Sequence, residues 1–127
     1  MPAPISFAWT TPALVAGHKT CTRGEWSPIH AARYAEGDEV TAYDKQPRFG
    51  GRPVARIRLT ADPELQNTRD AADEDYEAEG FPYLEEIGAK VDGLKPSVLW
   101  KAWKLHPQEM WVVRFEVIEL LHPEDRA

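Results

Sequence analysis

The sequence predicts a mixed α/β domain, mainly β: a small β-barrel with three or four short peripheral helices. At 127 residues the chain suits one compact domain, and its 43% hydrophobic content can supply one core. Extended segments lie near both ends of the chain, and glycine- and proline-rich turns separate short elements between them. Pairing the last strand with an earlier one would form a barrel with one mouth open to a ligand.

Four segments have the pattern of β-strands. The clearest covers residues 54–60, where apolar side chains alternate with Arg56 and Arg58. The other three strands are predicted at residues 5–9, 39–43 and 110–120.

Helices are predicted where capping residues, proline and glycine provide start and stop signals. Thr10 or Thr11 before Pro12 predicts a short helix that ends at Gly17, after which residues 20–22 are extended. Further helical segments are predicted near residues 30–34, in the acidic run that ends at Gly80, at 83–86 and from 96 onward.

The net charge of −6 opposes tight, non-specific binding to nucleic-acid backbones, because that affinity comes from neutralising phosphates with lysine and arginine. The charge is uneven along the chain. Residues 1–60 hold eight Lys and Arg against five Asp and Glu, whereas residues 61–92 hold two against eleven. A basic face opposite an acidic helix is one interpretation, and two ordinary solvated surfaces are the other.

The sequence predicts no metal, no cofactor and no membrane partner. Cys21 is the single cysteine, and the four histidines have no metal-ligand spacing. No apolar stretch approaches the roughly 20 residues that span a bilayer. A cytoplasmic protein is therefore the expectation.

Cations lie among aromatic residues in the first half of the chain. Aromatic rings stack bases at about 1–3 kcal/mol each, and neighbouring Arg or Lys side chains hold phosphates. Arg48 and Arg52 flank two glycines, which let a ligand approach the backbone. The tryptophans can equally fill the core. The candidate nucleobase- or RNA-binding residues are Trp9, Arg23, Trp26, Lys45, Arg48 and Arg52.

The order and spacing of several segments resemble the ASCH family of the PUA-like superfamily. These segments are "GHKTCTR" at 17–23, the run over 26–60, "EGF" at 79–81 and "WVVRFE" at 111–116. The resemblance covers residues 5–120, so we expect residues 1–127 to form one ASCH-type domain. It implies a PUA-like β-barrel, a fold associated with recognition of RNA and modified nucleobases.

One branch of that family, small amidohydrolases that release acetate from N4-acetylcytidine, uses a lysine, a threonine and a glutamate. The resemblance places them at Lys19, Thr22 and Glu79, with Arg23 one residue closer to the threonine than in that branch. In this hypothesis a neutral lysine deprotonates the threonine hydroxyl, and a protonated glutamate serves the leaving amine or orients the base. Because Lys19 and Thr22 are about 10 Å apart in an extended chain, catalysis requires a bend between them.

The residues also permit a purely structural interpretation. Lys19 and Arg23 can be solvated charges at a barrel edge, and Glu79 can precede a helix-capping glycine. Three classes of function stay open: a module that binds RNA or a nucleoside, an amidohydrolase or RNA-cleaving enzyme, and a protein-interaction domain without a small ligand. RNA or a nucleoside is the expected partner.

Overall fold

The computed structural model describes residues 2–121, so residue 1 and residues 122–127 lie outside this account. The strands in this range are β1 (Ile5–Ser6), β2 (Cys21–Gly24), β3 (Glu39–Tyr43), β4 (Pro53–Leu59), β5 (Glu64–Asn67) and β6 (Glu109–Leu120). The helices are α1 (Thr11–Val15), α2 (Pro28–Ala31), α3 (Asp73–Ala78), α4 (Phe81–Glu86) and α5 (Pro96–Leu105). Within residues 2–121, none of the helices has both the length and the apolar character to cross a membrane.

The long strand β6 holds the sheet together. Residues 115–120 of β6 pair antiparallel with β4, whereas residues 109–114 pair antiparallel with β2 and β5. Strand β3 pairs antiparallel with β4, and β1 pairs parallel with β3. The strand order is β1-β3-β4-β6-β2, with β5 beside β6, and the sheet curls into a half-barrel. The predicted mainly-β, barrel-like fold is confirmed, including the pairing of the last strand with earlier ones.

The main core lies where β3, β4 and β6 bury alternate side chains. Ile57 and Val113 are fully buried in it, and Phe7 meets the ring of Phe115 edge-on at 5.4 Å. On the opposite face of β4, Arg56 and Arg58 form exposed salt bridges with acidic residues of β3 and β6. The alternation predicted for this strand is therefore confirmed.

A second core packs the helices against one another. Phe81, at the start of α4, is 1% exposed, and around it lie Tyr76, Trp100 and Trp103 with ring centroids 5.5–6.1 Å apart. Three of these pairs, Tyr76–Phe81, Tyr76–Trp100 and Phe81–Trp100, are edge-to-face, and such pairs add about 0.5–1.5 kcal/mol each beyond burial. This core holds the chain around residue 79 against the half-barrel.

Two details of the predicted strands are wrong. The first strand ends at Ser6, because Ala8 adopts φ 45° and begins a 3-10 turn. Strand β5 was not predicted, since its sequence has little β character and pairing with β6 overrides that preference. Five short α-helices form between residues 2 and 121, and the acidic segment divides at Gly80 into α3 and α4, as its glycine predicts.

Gly80 joins α3 to α4 and provides a test of their packing. Its φ is +82°, and a Cβ there would lie 2.5 Å from the Cβ of Ala13, whereas Gly88, with φ +74°, has nothing within 4 Å. We expect Gly88→Ala to lower the free energy of unfolding by about 1 kcal/mol through backbone strain alone. Gly80→Ala should lower it by roughly 2–5 kcal/mol, because a clash adds to that strain. Urea denaturation measures both, and equal losses would contradict the close approach to Ala13.

Candidate functional site

Five charged side chains form a buried ionic network between α3 and the β2–β6 pair. Lys19 Nζ donates to the backbone oxygen of Glu79 at 2.9 Å and to its Oε1 at 3.0 Å. Arg23 donates from Nη1 to Glu79 Oε2 and from Nη2 to Asp75 Oδ2, both at 2.6 Å. Arg114 donates to both carboxylate oxygens of Asp75 at 2.9 and 3.0 Å. Each carboxylate is therefore held by two cations.

Local structure explains how these side chains meet. Asp75 and Glu79 are four residues apart, so they lie on one face of α3 and its C-terminal cap. Cys21 and Arg23 share a face of β2, and Arg114 is the cross-strand partner of Cys21. A backbone hydrogen bond of 2.8 Å, from the amide of residue 20 to the carbonyl of residue 78, connects the segment before β2 to the end of α3.

Burial makes the network energetically demanding. The side chains of Lys19, Arg23 and Glu79 are 0%, 1% and 3% exposed, whereas Arg114 is 42% exposed. Burial on its own would raise the pKa of Asp75, but hydrogen bonds from Arg114 and Arg23 outweigh it and lower that pKa. The interpretation of Lys19 as a solvated edge charge is wrong, because its ammonium lies in the interior.

Cys21 lies against the same network. Its Sγ is 3.6 Å from Glu79 Oε2 and 3.6 Å from Nη1 of Arg23. Burial, reinforced by the charge of Glu79, raises the pKa of the Cys21 thiol to about 12. The group is therefore a neutral thiol at neutral pH and not a nucleophile.

A cavity of about 180 Å³, which we call the Thr22 cavity, adjoins the network. Its polar side presents Thr22, Arg23 and Glu79, and its mouth includes Trp9, which is 57% exposed. Within residues 2–121 the hydroxyl of Thr22 has no hydrogen-bond partner, and neither does the buried Nε–H of Arg23. The lining also contains Ser6, Phe7, Ala8, Thr10, Phe81, Val91 and Trp103.

The structure brings together only part of the predicted site. Thr22, Glu79, Arg23 and Trp9 line the Thr22 cavity, whereas Lys19 holds Glu79 from outside that lining. Strand β2 begins at residue 21, so Lys19 lies before the strand and Thr22 within it.

The other predicted binding residues lie elsewhere. Trp26 lines a separate cavity beside His30. Lys45, Arg48 and Arg52 lie in the loop between β3 and β4, and Arg52 lines a third groove with Thr11 and Pro12. The six candidate residues therefore do not share one site.

Sequence reasoning missed three residues that position Arg23. Asp75 and Arg114 were not singled out, and neither was Gln66, whose Oε1 accepts from Arg23 Nη2 at 2.7 Å. An arginine inside the apolar run of β6 was the available signal, because a charge in a buried strand requires a partner.

A larger groove of about 450 Å³ lies on the other side of α3. His18 and Tyr83 stack there at 4.4 Å, and Glu74 and Glu77 add negative charge. No residue predicted for binding or catalysis lines it. Within residues 2–121 no group of three or more histidine, cysteine or acidic side chains has a geometry that holds a metal ion.

No family model matches the chain, and no curated protein matches it. Its fold is similar to the crystal structure of protein EF3133 from Enterococcus faecalis V583, which is assigned to the family model DUF984. The two align over 96% of this chain and 84% of that chain, with a TM-score of 0.55 and 19% identity. At this identity the likeness shows the fold alone. Membership of the ASCH family therefore stays a prediction.

The lowered pKa of Asp75 predicts how acid destabilises the protein. Because the folded-state pKa lies below the ordinary value of 3.8, ionised Asp75 stabilises the fold above that pH. This contribution is lost as the pH falls below 3.8 through the folded value. We expect Asp75→Asn to cost about 3–5 kcal/mol at neutral pH, since it removes one of the two negative charges paired with buried Arg23, and to flatten the acid dependence.

Denaturant titrations across the acid range measure this effect. Glu39→Gln is the matched control, because hydrogen bonds from Arg56 and Arg58 also lower the pKa of Glu39, but its ion pairs are exposed. The control should leave stability at neutral pH nearly unchanged. An Asp75→Asn variant with the wild-type acid slope would contradict the assignment.

Proposed function

We propose that this protein binds a nucleobase, as a nucleoside or within RNA, in the Thr22 cavity. The observation that carries the proposal is that aromatic rings and hydrogen-bonding groups of both kinds line one cavity. A base has two apolar faces and a polar edge, so it needs this combination. Trp9 offers an exposed ring at the mouth, and Thr22, Arg23 and Glu79 form the polar side.

The size of the cavity supports a small ligand. Its volume of about 180 Å³ lies below the roughly 300–1,000 Å³ of sites for drug-sized molecules. One planar ring fits such a volume, with the sugar outside the mouth. An accessible cavity also favours a ligand-binding protein over an interaction domain without a small ligand.

The polar side favours a base that carries both an amino group and a carbonyl. Glu79, paired with Lys19 and Arg23, is a hydrogen-bond acceptor only, so it matches an exocyclic amine such as that of cytosine. A base carbonyl would supply the acceptor that the Nε–H of Arg23 lacks.

Calorimetric titration with cytidine and uridine tests the proposal. We expect cytidine to bind more tightly, because the carbonyl of uridine would face the Glu79 carboxylate. Trp9→Ala and Thr22→Val should weaken cytidine binding by about tenfold, the size of one lost stacking contact or hydrogen bond to the base.

The controls are Phe49→Ala, which removes a 65% exposed ring outside the cavity, and Thr41→Val on β3. Both should retain the wild-type affinity. Failure of every nucleoside to bind the folded protein would overturn the proposal.

A second candidate function is hydrolysis of the amide in an N4-acylated cytidine. It is favoured because Thr22 and Glu79 line the same cavity and, within residues 2–121, the Thr22 hydroxyl has no hydrogen-bond partner. Thr22 would attack the acyl carbon while the Glu79 carboxylate takes the hydroxyl proton, and the C–N bond would break as that proton passes to the leaving amine. Water would then hydrolyse the acyl-threonine ester and release the carboxylic acid. Lys19 is then a positioning residue, because it acts through Glu79.

Chromatographic turnover of N4-acetylcytidine tests this second function. Thr22→Val should reduce kcat by about 10²–10⁴-fold, the usual contribution of one group in acid–base catalysis, whereas Thr41→Val should not. Lys19→Met should weaken cytidine binding as well as turnover, because it releases Glu79. Cytidine binding without hydrolysis by the wild type would remove the enzyme hypothesis and leave the binding proposal intact.

A further inference from the structure

A second cavity lies directly beside the Thr22 cavity. It has a volume of about 200 Å³, and we call it the Trp26 cavity. Ser6 of β1 lines both cavities, so they lie on either side of one strand residue. The Trp26 cavity is lined by Ala3, Pro4, Ile5, Ser6, Trp26, His30 and Gln46.

The aromatic residues of the Trp26 cavity are packed against one another and against the N-terminal segment. Trp26 stacks on Tyr34 at 5.0 Å, with an interplanar angle of 25°, and His30 meets its ring edge-on at 4.7 Å. Tyr34 Oη donates to the carbonyl of Ala3 at 2.9 Å, which anchors the cluster to the N-terminal segment. Stacking of a ligand on these rings therefore costs little side-chain entropy of the protein.

The position of this wall depends on the strand that supplies the first cavity. Gly24 ends β2, two residues after Thr22, and a Cβ at Gly24 would lie 2.7 Å from Nε1 of Trp26. Only glycine leaves room for the indole at that point. Strand β2 thus contributes Thr22 and Arg23 to the Thr22 cavity, and its Gly24 makes room for Trp26 of the Trp26 cavity.

The chemistry of the Trp26 cavity suits a planar, uncharged ring. The half-buried rings of Trp26 and His30 provide stacking faces, and the amide of Gln46 provides both a donor and an acceptor. The loop that carries Gln46 is a tight turn, in which the backbone N–H of Gly51 donates to the carbonyl oxygen of Gln46. A Cβ at Gly51 would clash with the backbone carbonyl of Lys45, so the turn requires glycine at this position.

We propose that the Trp26 cavity is a second base subsite, which takes the nucleotide next to the base held in the Thr22 cavity. The proposal rests on the proposed function and narrows its ligand to single-stranded RNA rather than a free nucleoside. Adjacent nucleosides on one RNA strand are joined by a single phosphodiester, so their bases lie close together. The two cavities are also close together, because both are lined by Ser6. Lys45, exposed and without an ion pair among residues 2–121, follows β3 beside Gln46 and is the nearest cation in sequence for that phosphate.

Calorimetric titration of the full chain with cytidine, cytidine 3′-monophosphate and the dinucleotide CpA tests the subsite. We expect CpA to bind at least about tenfold more tightly than cytidine 3′-monophosphate, the gain of one additional stacked base. Trp26→Leu and His30→Ala should remove this gain and leave cytidine affinity unchanged. Trp26→Phe, which keeps a ring, should retain most of it and controls for folding of the cluster.

The outcomes separate the two proposals. Absence of binding by all three ligands would overturn the proposed function and the subsite together. Equal affinity for CpA and cytidine 3′-monophosphate would overturn the subsite alone and limit the protein to a single base. A Trp26→Leu variant that weakens cytidine and CpA by the same factor would also overturn it, since the ring would then act on the first cavity.

Discussion

The site depends on the pairing of Glu79 with Lys19 and Arg23. A buried carboxylate without partners would be strongly destabilising, and these two cations hold one oxygen each. Apolar residues of similar volume often stabilise a fold as well as a buried ion pair does, so stability alone does not account for this one. Lys19 and Arg23 fix the orientation of the Glu79 carboxylate in the lining of the Thr22 cavity.

The segment around Glu79 links that charge to the aromatic side of the cavity. Gly80 turns the chain in a left-handed conformation, and Phe81 then enters the second core beside Trp103. Both rings also line the Thr22 cavity. Three consecutive residues thus supply an acceptor, a turn and an aromatic wall, and the packing of α4 and α5 positions the site.

Local sequence patterns predict individual strands of this fold, but they do not predict which side chains meet in the site. Strand β3 was predicted with its observed bounds, because a turn signal precedes an alternating run. The acidic run around Asp75 resembles a solvated surface, and only the contact of α3 with β2 makes Asp75 and Glu79 buried partners of Arg23. Trp9 and Trp26 lie in different cavities, which the spacing of residues in sequence does not specify.

The most direct test of nucleobase binding in the Thr22 cavity is an NMR titration of the isotope-labelled protein with cytidine, following backbone amides and tryptophan indoles. We expect the largest shift changes at the backbone amides of Thr22, Arg23 and Glu79 and at the indole of Trp9. Changes centred instead on His18 and Tyr83, in the larger groove across α3, would contradict it, as would a spectrum that cytidine leaves unchanged.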